Sequence, residues 1–596
     1  MDNSRNLILA VVLSAVLLFG WDFAMSKLYP EPPAPSEPVA AAQADTPAER
    51  IAGADTPPVR RTREGGLIDP ADIAEEERDL EVELVAAERV AIDAPEVLGS
   101  INPVGARIDD ITLKSHRQTV DEDSGPVRLF SPAGTPAQQF AQFGWVGEGT
   151  SLPDAQTVWQ AEGGPLSPGN PVTLSWDNGE GQQFRIVFTI DERYMLTAEQ
   201  TLANTGAGPV VAQPYAFLNR TSRTASADTW NVHSGPIGEF AGAVDFGNDY
   251  DDVESARTVT PAGRAGWLGF TDIYWLSALV PDREAGTSSA FRSLGEQVFR
   301  ADLIYDPVTV APGRQVTRST RLFAGAKESR VLDAYEDQGI EKFGLSIDWG
   351  WFRWFEKPIF WLLLQLYDLA GNFGVAIILL TLVIRLILFP IAQKQFASMA
   401  QMRAVQPKMK ALQERYKEDK PKLQQEMAKL YKDEKINPLA GCLPIFIQIP
   451  IFFALYKVLL LAIEMRHKPF ALWIDDLSVP DPAHILNLFG LLDFTVPAFL
   501  AIGPLAVLLG VTMWLTFKLN PMPMDPMQQQ IFAIMPWVLM FVMAPFAAGL
   551  LLYWVTSNVL TLAQQSYLYS KHPQLKAQAE KDKVDKARAA EREGTG

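Results

Sequence analysis

A long apolar segment with a single charge inside it constrains this chain more than any other feature. Residues 371–392 are predominantly apolar, and Arg385 is the only charged residue between Asp368 and Lys394. A helix of about 20 apolar residues is long enough to cross a bilayer. An arginine well inside such a helix costs about 2.5–3.5 kcal/mol on insertion scales. The segment therefore predicts a membrane-spanning helix in which Arg385 needs a polar environment.

The sequence leaves two explanations of Arg385 open. The side chain can snorkel toward Lys394, but that residue lies roughly 13 Å away along a helix, about twice the reach of an arginine. Alternatively, Arg385 faces a water-accessible cavity, where an unpaired cation would attract an anion. The five spans predicted after residue 370 contain neither Asp nor Glu to pair with it. At an effective dielectric constant near 20, a carboxylate at about 4–8 Å would gain on the order of 2–4 kcal/mol.

The bulk composition excludes several classes of protein. The chain has 596 residues, too many for one ordinary domain, and its net charge of −18 argues against a nucleic-acid-binding protein. Its single cysteine, Cys442, cannot form an intrachain disulfide, and its five scattered histidines lack any metal-binding spacing. The sequence contains no P-loop, nucleophile elbow or convincing dinucleotide-binding motif. We therefore predict no cofactor, no metal site and no catalytic residues.

Six regions are predicted along the chain. They are an N-terminal transmembrane anchor (1–27), a Pro/Ala-rich linker (28–77), a β-sandwich domain (78–340), an interfacial amphipathic helix (341–370), a membrane core (371–570) that includes a cytoplasmic helical hairpin (393–440), and a charged tail (571–596). A cleaved signal peptide is the alternative for the first region, although Trp21 and Tyr29 suit a membrane interface.

The sandwich is predicted from alternating apolar residues in short segments. Residues 183–190 and 297–304 alternate, and turn signals recur at 204–206, 261–263 and 312–313. Many short strands joined by Gly- and Pro-containing turns are typical of an antiparallel β-sandwich. Such a domain can carry a ligand groove or serve as a scaffold, and its fold alone does not decide between them.

The membrane core is predicted to contain five spans. They cover about 371–392, 443–463, 497–517, 530–545 and 548–567. The last two are a hairpin of short spans, which implies local thinning of the bilayer. The loop 393–440 carries eleven Lys and Arg residues against six acidic ones, and the C-terminal tail is also rich in basic residues. The positive-inside rule therefore places both termini in the cytoplasm and the β domain outside.

Two groups of residues are candidates for contact with a client polypeptide. Thr381 lies four residues before Arg385 on the same helix face, while Gln448, Tyr553 and Ser557 lie in other spans. These polar residues can line one hydrated groove with Arg385, or can simply form hydrogen bonds between helices. In the cytoplasmic hairpin, methionines can form an adaptable surface for apolar clients, or can fill the seam between its two helices. They are Met399, Met402, Met409 and Met427.

Motifs across residues 350–570 resemble those of the YidC/Oxa/Alb family of membrane protein insertases. They are Thr381–Pro390, Ser398–Lys408, Asn437–Pro444, Gln448–Phe452, Pro469–Ser478, Asp525–Gln529 and Tyr553–Asn558. The β region resembles that of the long Gram-negative form, and its best local match is Gly266–Tyr274.

The resemblance implies a polytopic α-helical membrane protein with six transmembrane helices, a five-helix insertase core and a large periplasmic antiparallel β-sandwich domain. It implies an insertase and chaperone of the bacterial inner membrane that moves nascent membrane proteins into the lipid bilayer, alone or beside the Sec translocon. It also implies a hydrophilic groove centred on Arg385 with Thr381 and Tyr553 in its lining, a client-receiving hairpin, and a basic tail near the ribosome. Two other functions stay open: a small-solute transporter or channel, and an envelope-polysaccharide-binding membrane protein.

Overall fold

A computed structural model describes most of the chain as a β domain followed by a helical domain. It covers residues 65–85, 88–121, 123–226, 232–350, 353–393, 405, 408–409, 411–417, 419–434, 443–489, 492, 496, 501–519 and 526–571. The predicted N-terminal anchor, most of the predicted linker, nearly all of the charged tail, Met399 and Met402 lie outside these residues.

The β domain contains nineteen strands within the described residues. They are β1 (Val90–Asp93), β2 (Val97–Asn102), β3 (Arg107–Arg117), β4 (Pro126–Phe130), β5 (Gln139–Glu148), β6 (Gln160–Glu162), β7 (Val172–Asp177), β8 (Gln182–Ile190), β9 (Met195–Asn204), β10 (Val210–Thr221), β11 (Gly235–Phe240), β12 (Ala243–Asp245), β13 (Thr258–Val259), β14 (Ala265–Thr271), β15 (Trp275–Pro281), β16 (Thr287–Gly295), β17 (Val298–Tyr305), β18 (Val308–Val310) and β19 (Arg314–Ala326).

These strands form two antiparallel sheets. The ten-stranded sheet has the order β1-β2-β3-β5-β10-β17-β16-β13, with β4 paired to β3 and β18 paired to β10. The nine-stranded sheet has the order β12-β11-β14-β15-β19-β9-β8-β7-β6. The sheets pack face to face, since Phe143 of β5 contacts Phe188 of β8 with ring centroids 5.6 Å apart. The predicted antiparallel β-sandwich is therefore confirmed.

The alternation in the sequence explains why these segments form strands. Along β8, buried residues alternate with exposed or half-buried ones, so one face of the strand supplies Phe184, Ile186 and Phe188 to the core. Side chains of a strand point alternately to its two faces, and a two-residue period therefore produces a half-buried strand. At the turn before β19, Gly313 has φ +71°, a conformation that favours glycine.

Ten helices occur within the described residues. They are α1 (Pro70–Glu83), α2 (Tyr250–Ala256), α3 (Ser329–Asp337), α4 (Arg353–Ala370), α5 (Phe373–Ile387), α6 (Lys420–Asp433), α7 (Leu443–Leu461), α8 (Pro504–Leu519), α9 (Pro526–Met543) and α10 (Ala548–Lys571); three short 3₁₀ turns lie at Ser222–Thr224, Phe343–Ser346 and Ile463–Met465. Helix α1 lies across the predicted boundary between linker and sandwich, where no helix was expected.

The helical domain packs around α5 and α10. Helix α5 begins at the N-cap residue Asn372, whose side chain accepts a hydrogen bond from the Val375 amide, and it packs against α4 and α10. Helices α8 and α9 pack on each other, and α8 also contacts α10. Each of the five predicted spans overlaps one helix from α5 and α7 to α10, although α8 begins at Pro504 rather than near residue 497. In the part of the chain that the structure describes, no helix is both long and apolar enough to cross a membrane.

Helix α4 is amphipathic, as predicted for an interfacial helix. It buries Ile359, Phe360 and Leu363 against the rest of the protein. Trp354 and Trp361 are exposed on its surface. Helix α4 is shorter than the predicted region 341–370, since Phe343–Ser346 form a 3₁₀ turn and residues 347–350 are irregular.

Candidate functional site

Helices α5 and α10 bring Arg385 and Ser557 together. The Arg385 guanidinium Nη2 donates a hydrogen bond to Ser557 Oγ, and Ser557 is buried. Arg385 lies in the last turn of α5, where the helix dipole favours a positive charge. Among the residues that the structure describes, no carboxylate forms an ion pair with Arg385. The guanidinium is therefore held by a neutral hydroxyl, with its charge uncompensated by a carboxylate from this part of the chain.

One turn away on α10, Tyr553 pairs with Gln448 of α7. The Gln448 side-chain amide Nε2 donates to Tyr553 Oη at 2.7 Å, and Tyr553 is 2% exposed. A buried tyrosine hydroxyl normally finds a polar partner, and Gln448 supplies it here. Tyr553 and Ser557 are four residues apart and so lie on one face of α10. This face brings together four of the five predicted groove residues.

The Thr381 hydroxyl forms a hydrogen bond within its own helix. Its side chain is 1% exposed, and its hydroxyl donates to the carbonyl oxygen of Ile377 in the same helix at 2.7 Å. The hydroxyl is therefore engaged by the backbone of its own helix rather than by Arg385, as is common for threonine in apolar helices.

The sequence reasoning missed one polar pair, which lies on a neighbouring face of α10. The Asn558 side-chain amide donates to Thr512 Oγ1 of α8 at 3.2 Å, and both residues are buried. Asn558 is the last residue of the motif Tyr553–Asn558, but Thr512 was not singled out. Its signal was a hydroxyl residue within an otherwise apolar helix, which is weak evidence by itself.

The described methionines of the hairpin lie in its seam. Met409 is 5% exposed and, with Val405, packs against Met427, Leu430 and Tyr431 of α6. The hairpin is also bridged at its surface, where Lys408 Nζ lies 2.6 Å from Glu434 Oε1. The geometry favours the interpretation that Met409 fills the space between the two helices.

The described residues contain no candidate metal-binding site. No group of three or more His, Cys, Asp or Glu side chains there is arranged to hold a metal ion.

Comparison with known proteins identifies the family. The model described as "60Kd inner membrane protein" matches residues 365–576, and the one described as "YidC periplasmic domain" matches residues 89–362. The membrane protein insertase YidC of Zymomonas mobilis is 44% identical over 574 residues, covering 96% of each chain. The chain belongs to the YidC family of membrane protein insertases. The YidC of Bradyrhizobium diazoefficiens is 42% identical, covering 95% of this chain and 96% of its own.

Solved structures of YidC proteins are also similar. A crystal structure of an active YidC insertase with its first transmembrane domain resolved is 20% identical, with a TM-score of 0.35. The match covers 82% of this chain and 96% of that one.

Family membership settles the class of protein and its general location. The chain is a membrane protein insertase rather than an enzyme, and it is a polytopic helical protein of the inner membrane with a periplasmic β-sandwich domain. These predictions are confirmed. The roles of the individual groove and hairpin residues stay predictions.

Proposed function

We propose that Arg385 attracts an acidic extracytoplasmic tail of a client into a hydrated groove beside α10. The observation that carries this proposal is the contact of Arg385 with Ser557, which holds the cation without a carboxylate partner among the described residues. A tail carboxylate at about 4–8 Å would gain on the order of 2–4 kcal/mol at an effective dielectric constant near 20. This gain is large enough to recruit the tail and small enough to release it.

The apolar part of the client then leaves sideways into lipid. Burial of its apolar surface in the bilayer contributes roughly 25 cal/mol per Å² and drives this step. Gln448 and Tyr553 contribute polar groups to the same groove one turn from Ser557. Local thinning of the bilayer near the short final helices would shorten the barrier for the tail.

The proposal includes an orientation and a set of partners. The hairpin and both termini face the cytoplasm, because the loop 393–440 carries the excess of Lys and Arg. Nascent membrane proteins arrive there, with the ribosome near the basic tail, and enter the groove directly or after passing the Sec translocon. Support for these partners comes from the resemblance of the motifs to the family.

The test compares matched clients on matched variants. Arg385→Ala and Arg385→Lys are reconstituted with a client whose extracytoplasmic tail is acidic and with the same client in which each Asp is changed to Asn. We expect Arg385→Ala to slow insertion of the acidic client about ten-fold or more, since a loss of about 1.4 kcal/mol is ten-fold in rate. The Asn client should be affected far less, and Arg385→Lys should retain part of the rate.

A control variant and crosslinking complete the test. Lys518→Ala removes another cation of the helical domain, which lies over the Trp514 ring, and should leave insertion unchanged. Photocrosslinking probes at Thr381, Gln448 and Tyr553, one at a time, should capture ribosome-stalled clients. If Arg385→Ala changes the insertion rate of both clients by the same factor relative to the wild type, the electrostatic step is overturned. Crosslinks only at the hairpin would place the insertion path elsewhere.

A further inference from the structure

Three large apolar residues of one loop combine an exposed side chain with a left-handed backbone. The outer loop, residues 462–489, follows α7. Its residues Leu472, Leu488 and Phe489 are 88%, 52% and 60% exposed and have φ +61°, +51° and +61°. Within the described residues, no other large apolar side chain occurs at positive φ. A left-handed backbone is costly for leucine and phenylalanine, whereas glycine, asparagine and aspartate adopt it more readily. Exposed apolar residues at such positions need an explanation beyond folding in water.

The first of two turns in the outer loop carries Leu472 at its tip. The Phe470 amide donates a hydrogen bond to the carbonyl oxygen of Ile474 at 2.9 Å, which closes the chain around Leu472. Next to the tip, Trp473 Nε1 donates to Asp481 Oδ1 at 2.9 Å, and Asp481 is buried. The exposed leucine therefore sits on a turn that is fastened on both sides.

The second turn carries Leu488 and Phe489. The Leu488 amide donates to the carbonyl oxygen of Ile485 at 3.1 Å, and the Phe489 amide donates to that of His484 at 2.9 Å. The Ile485 amide donates in turn to the carbonyl oxygen of Ile502, just before α8, at 3.1 Å. Backbone hydrogen bonds thus define this turn as well, and they leave its apolar side chains exposed.

The outer loop lies on the periplasmic side of the helical domain. Near its start, Glu464 Oε1 accepts the backbone amide of Ser329, the first residue of α3, at 2.9 Å. Arg466 Nη2 donates to the carbonyl oxygen of Gln118, which directly follows β3, at 2.9 Å. Family membership places this sandwich in the periplasm. The loop that contacts it is therefore at the outer surface of the membrane.

The tip of the first turn lies at the level where α5 begins. A Cβ added at Gly374, in the first turn of α5, would lie 2.0 Å from the Phe470 ring, so this ring rests directly on the helix backbone. The Asn372 side-chain amide, at the N-cap of α5, also donates to the carbonyl oxygen of Phe470 at 2.9 Å. Leu472 follows two residues later. Val375 is exposed beside Gly374, so the exposed apolar surface of α5 begins at the same level as the tip.

The residues around the tip suit the boundary between lipid headgroups and acyl chains. Aromatic residues are enriched at this level in membrane proteins, and Phe470 and Trp473 flank Leu472. The exposed charges within four residues of the tip have both signs, Lys468 and Asp475. They therefore favour contact with lipid through the apolar side chain rather than through attraction to an anionic surface. Exposed apolar patches of this kind mark sites of protein or membrane contact.

We propose that Leu472, Leu488 and Phe489 enter the outer leaflet of the inner membrane as a two-point lipid anchor. Removal of their side chains from water is favourable and offsets the cost of the left-handed backbone. Lipid is the occupant because the outer loop lies where the apolar surface of α5 begins. The anchor sets how deeply the outer ends of α5 and α8 lie in the bilayer. This inference goes beyond the proposed function, since it requires neither a client nor a role for Arg385.

The test measures the depth of both turns in the full-length protein in nanodiscs of zwitterionic phosphatidylcholine. The single cysteine is removed by Cys442→Ser, and a nitroxide spin label is attached at Leu472→Cys or, in a separate protein, at Phe489→Cys. Collisions of the label with oxygen, which concentrates among acyl chains, are compared with collisions with a water-soluble nickel chelate. We expect the ratio of oxygen to nickel collisions at both positions to be about ten-fold higher than at a water-exposed site, since oxygen is apolar and the chelate is not.

Two further labels calibrate this ratio. Val158 is exposed and forms a bridge with Val104 in the turn between β2 and β3, at the end of β3 remote from Gln118, so Val158→Cys reports on water. Leu382 is exposed on α5, well beyond its first turn, so Leu382→Cys reports on acyl chains. Each labelled protein should keep the thermal unfolding midpoint of the Cys442→Ser parent, which separates a change of depth from unfolding.

Three results would overturn the inference. The first is a collision ratio at both turns equal to that at Val158, which would place the turns in water. The second is protection of the turns that appears only in nanodiscs holding two copies, which would assign the exposed residues to a contact between copies. The third is protection that appears only after a ribosome-stalled client is added, which would assign them to the client.

Discussion

At the scale of single residues, the Ser557 hydroxyl is the group that orients Arg385. A guanidinium has five donors, and Ser557 accepts from one of them at a buried position. We expect Ser557→Ala to leave the cation in place but less well oriented, and to lower insertion of acidic-tailed clients several-fold. Thr561→Ala is the control, since that hydroxyl donates to the backbone carbonyl of Ser557 in its own helix rather than to Arg385. Insertion assays on both variants check the prediction, and equal losses would contradict it.

A second prediction at this scale concerns the stability that the Gln448–Tyr553 hydrogen bond contributes. Tyr553→Phe removes the acceptor of a 2.7 Å hydrogen bond and leaves the Gln448 amide without it. Leaving a buried polar group unpaired costs about 1–3 kcal/mol, whereas replacing both partners is less costly. The double variant Gln448→Leu/Tyr553→Phe should therefore be less destabilised than the sum of the single variants by about 1 kcal/mol. Thermal unfolding in detergent of the wild type, the two single variants and the double variant measures this coupling. If the two single destabilisations add up to that of the double variant, the coupling is absent.

At the scale of elements, variants of the hairpin can show whether its methionines bind clients or fill the seam between the two helices. Met409 is buried against α6, so Met409→Ala should destabilise the hairpin by about 2–5 kcal/mol. Met409→Leu keeps the volume and should cost less than about 1.5 kcal/mol. Hydrogen exchange across Lys420–Asp433 and photocrosslinking of clients are measured together. Reduced crosslinking in Met409→Leu with normal exchange would show that the methionine receives clients after all.

Local sequence patterns predicted the helices and strands far better than they predicted the contacts between them. The two-residue period of β8 and the apolar runs of α5 and α7 are properties of short segments, and they were predicted from the sequence. Helix α1 was missed although its signal was present, since Asp69 caps it and Pro70 is its first residue. The acidic composition of that segment obscured this signal, because it resembles a continuation of the linker.

At the scale of the whole molecule, the joint between the domains was beyond sequence reasoning. Arg466 is far along the chain from the two residues whose carbonyl oxygens it contacts, Arg117 at the end of β3 and Gln118 just after it. No period or motif indicates that an arginine will donate to backbone carbonyls, because every residue offers one. The groove residues, in contrast, could be predicted as a set from the sequence. A polar side chain in an apolar helix is conspicuous in the sequence, although its partner is not.

Two buried glutamates, Glu464 after α7 and Glu356 in α4, determine how stability depends on pH at this scale. Burial raises the pKa of Glu464 to about 7, with a further contribution from Glu328, and burial likewise raises the pKa of Glu356 to about 7. An unfolded glutamate has a pKa of about 4.3. Between about 4.3 and 7 the folded protein holds protons that the unfolded chain has lost. The stabilisation from these two groups is therefore complete below this range and is lost as the pH rises through it.

Two neutral substitutions test this dependence. The thermal unfolding midpoint of the wild-type protein in detergent should fall between pH 5 and pH 8. In Glu356→Gln/Glu464→Gln that fall should be smaller, because glutamine cannot titrate and still offers an oxygen to the Ser329 amide. Glu341→Gln serves as the control, since the Glu341 side chain lies in an exposed ion pair with Arg283 and its neutralisation should leave the profile unchanged. An identical slope in the double variant and the wild type would show that neither carboxyl is protonated in the folded protein, and each site would then tolerate a buried negative charge.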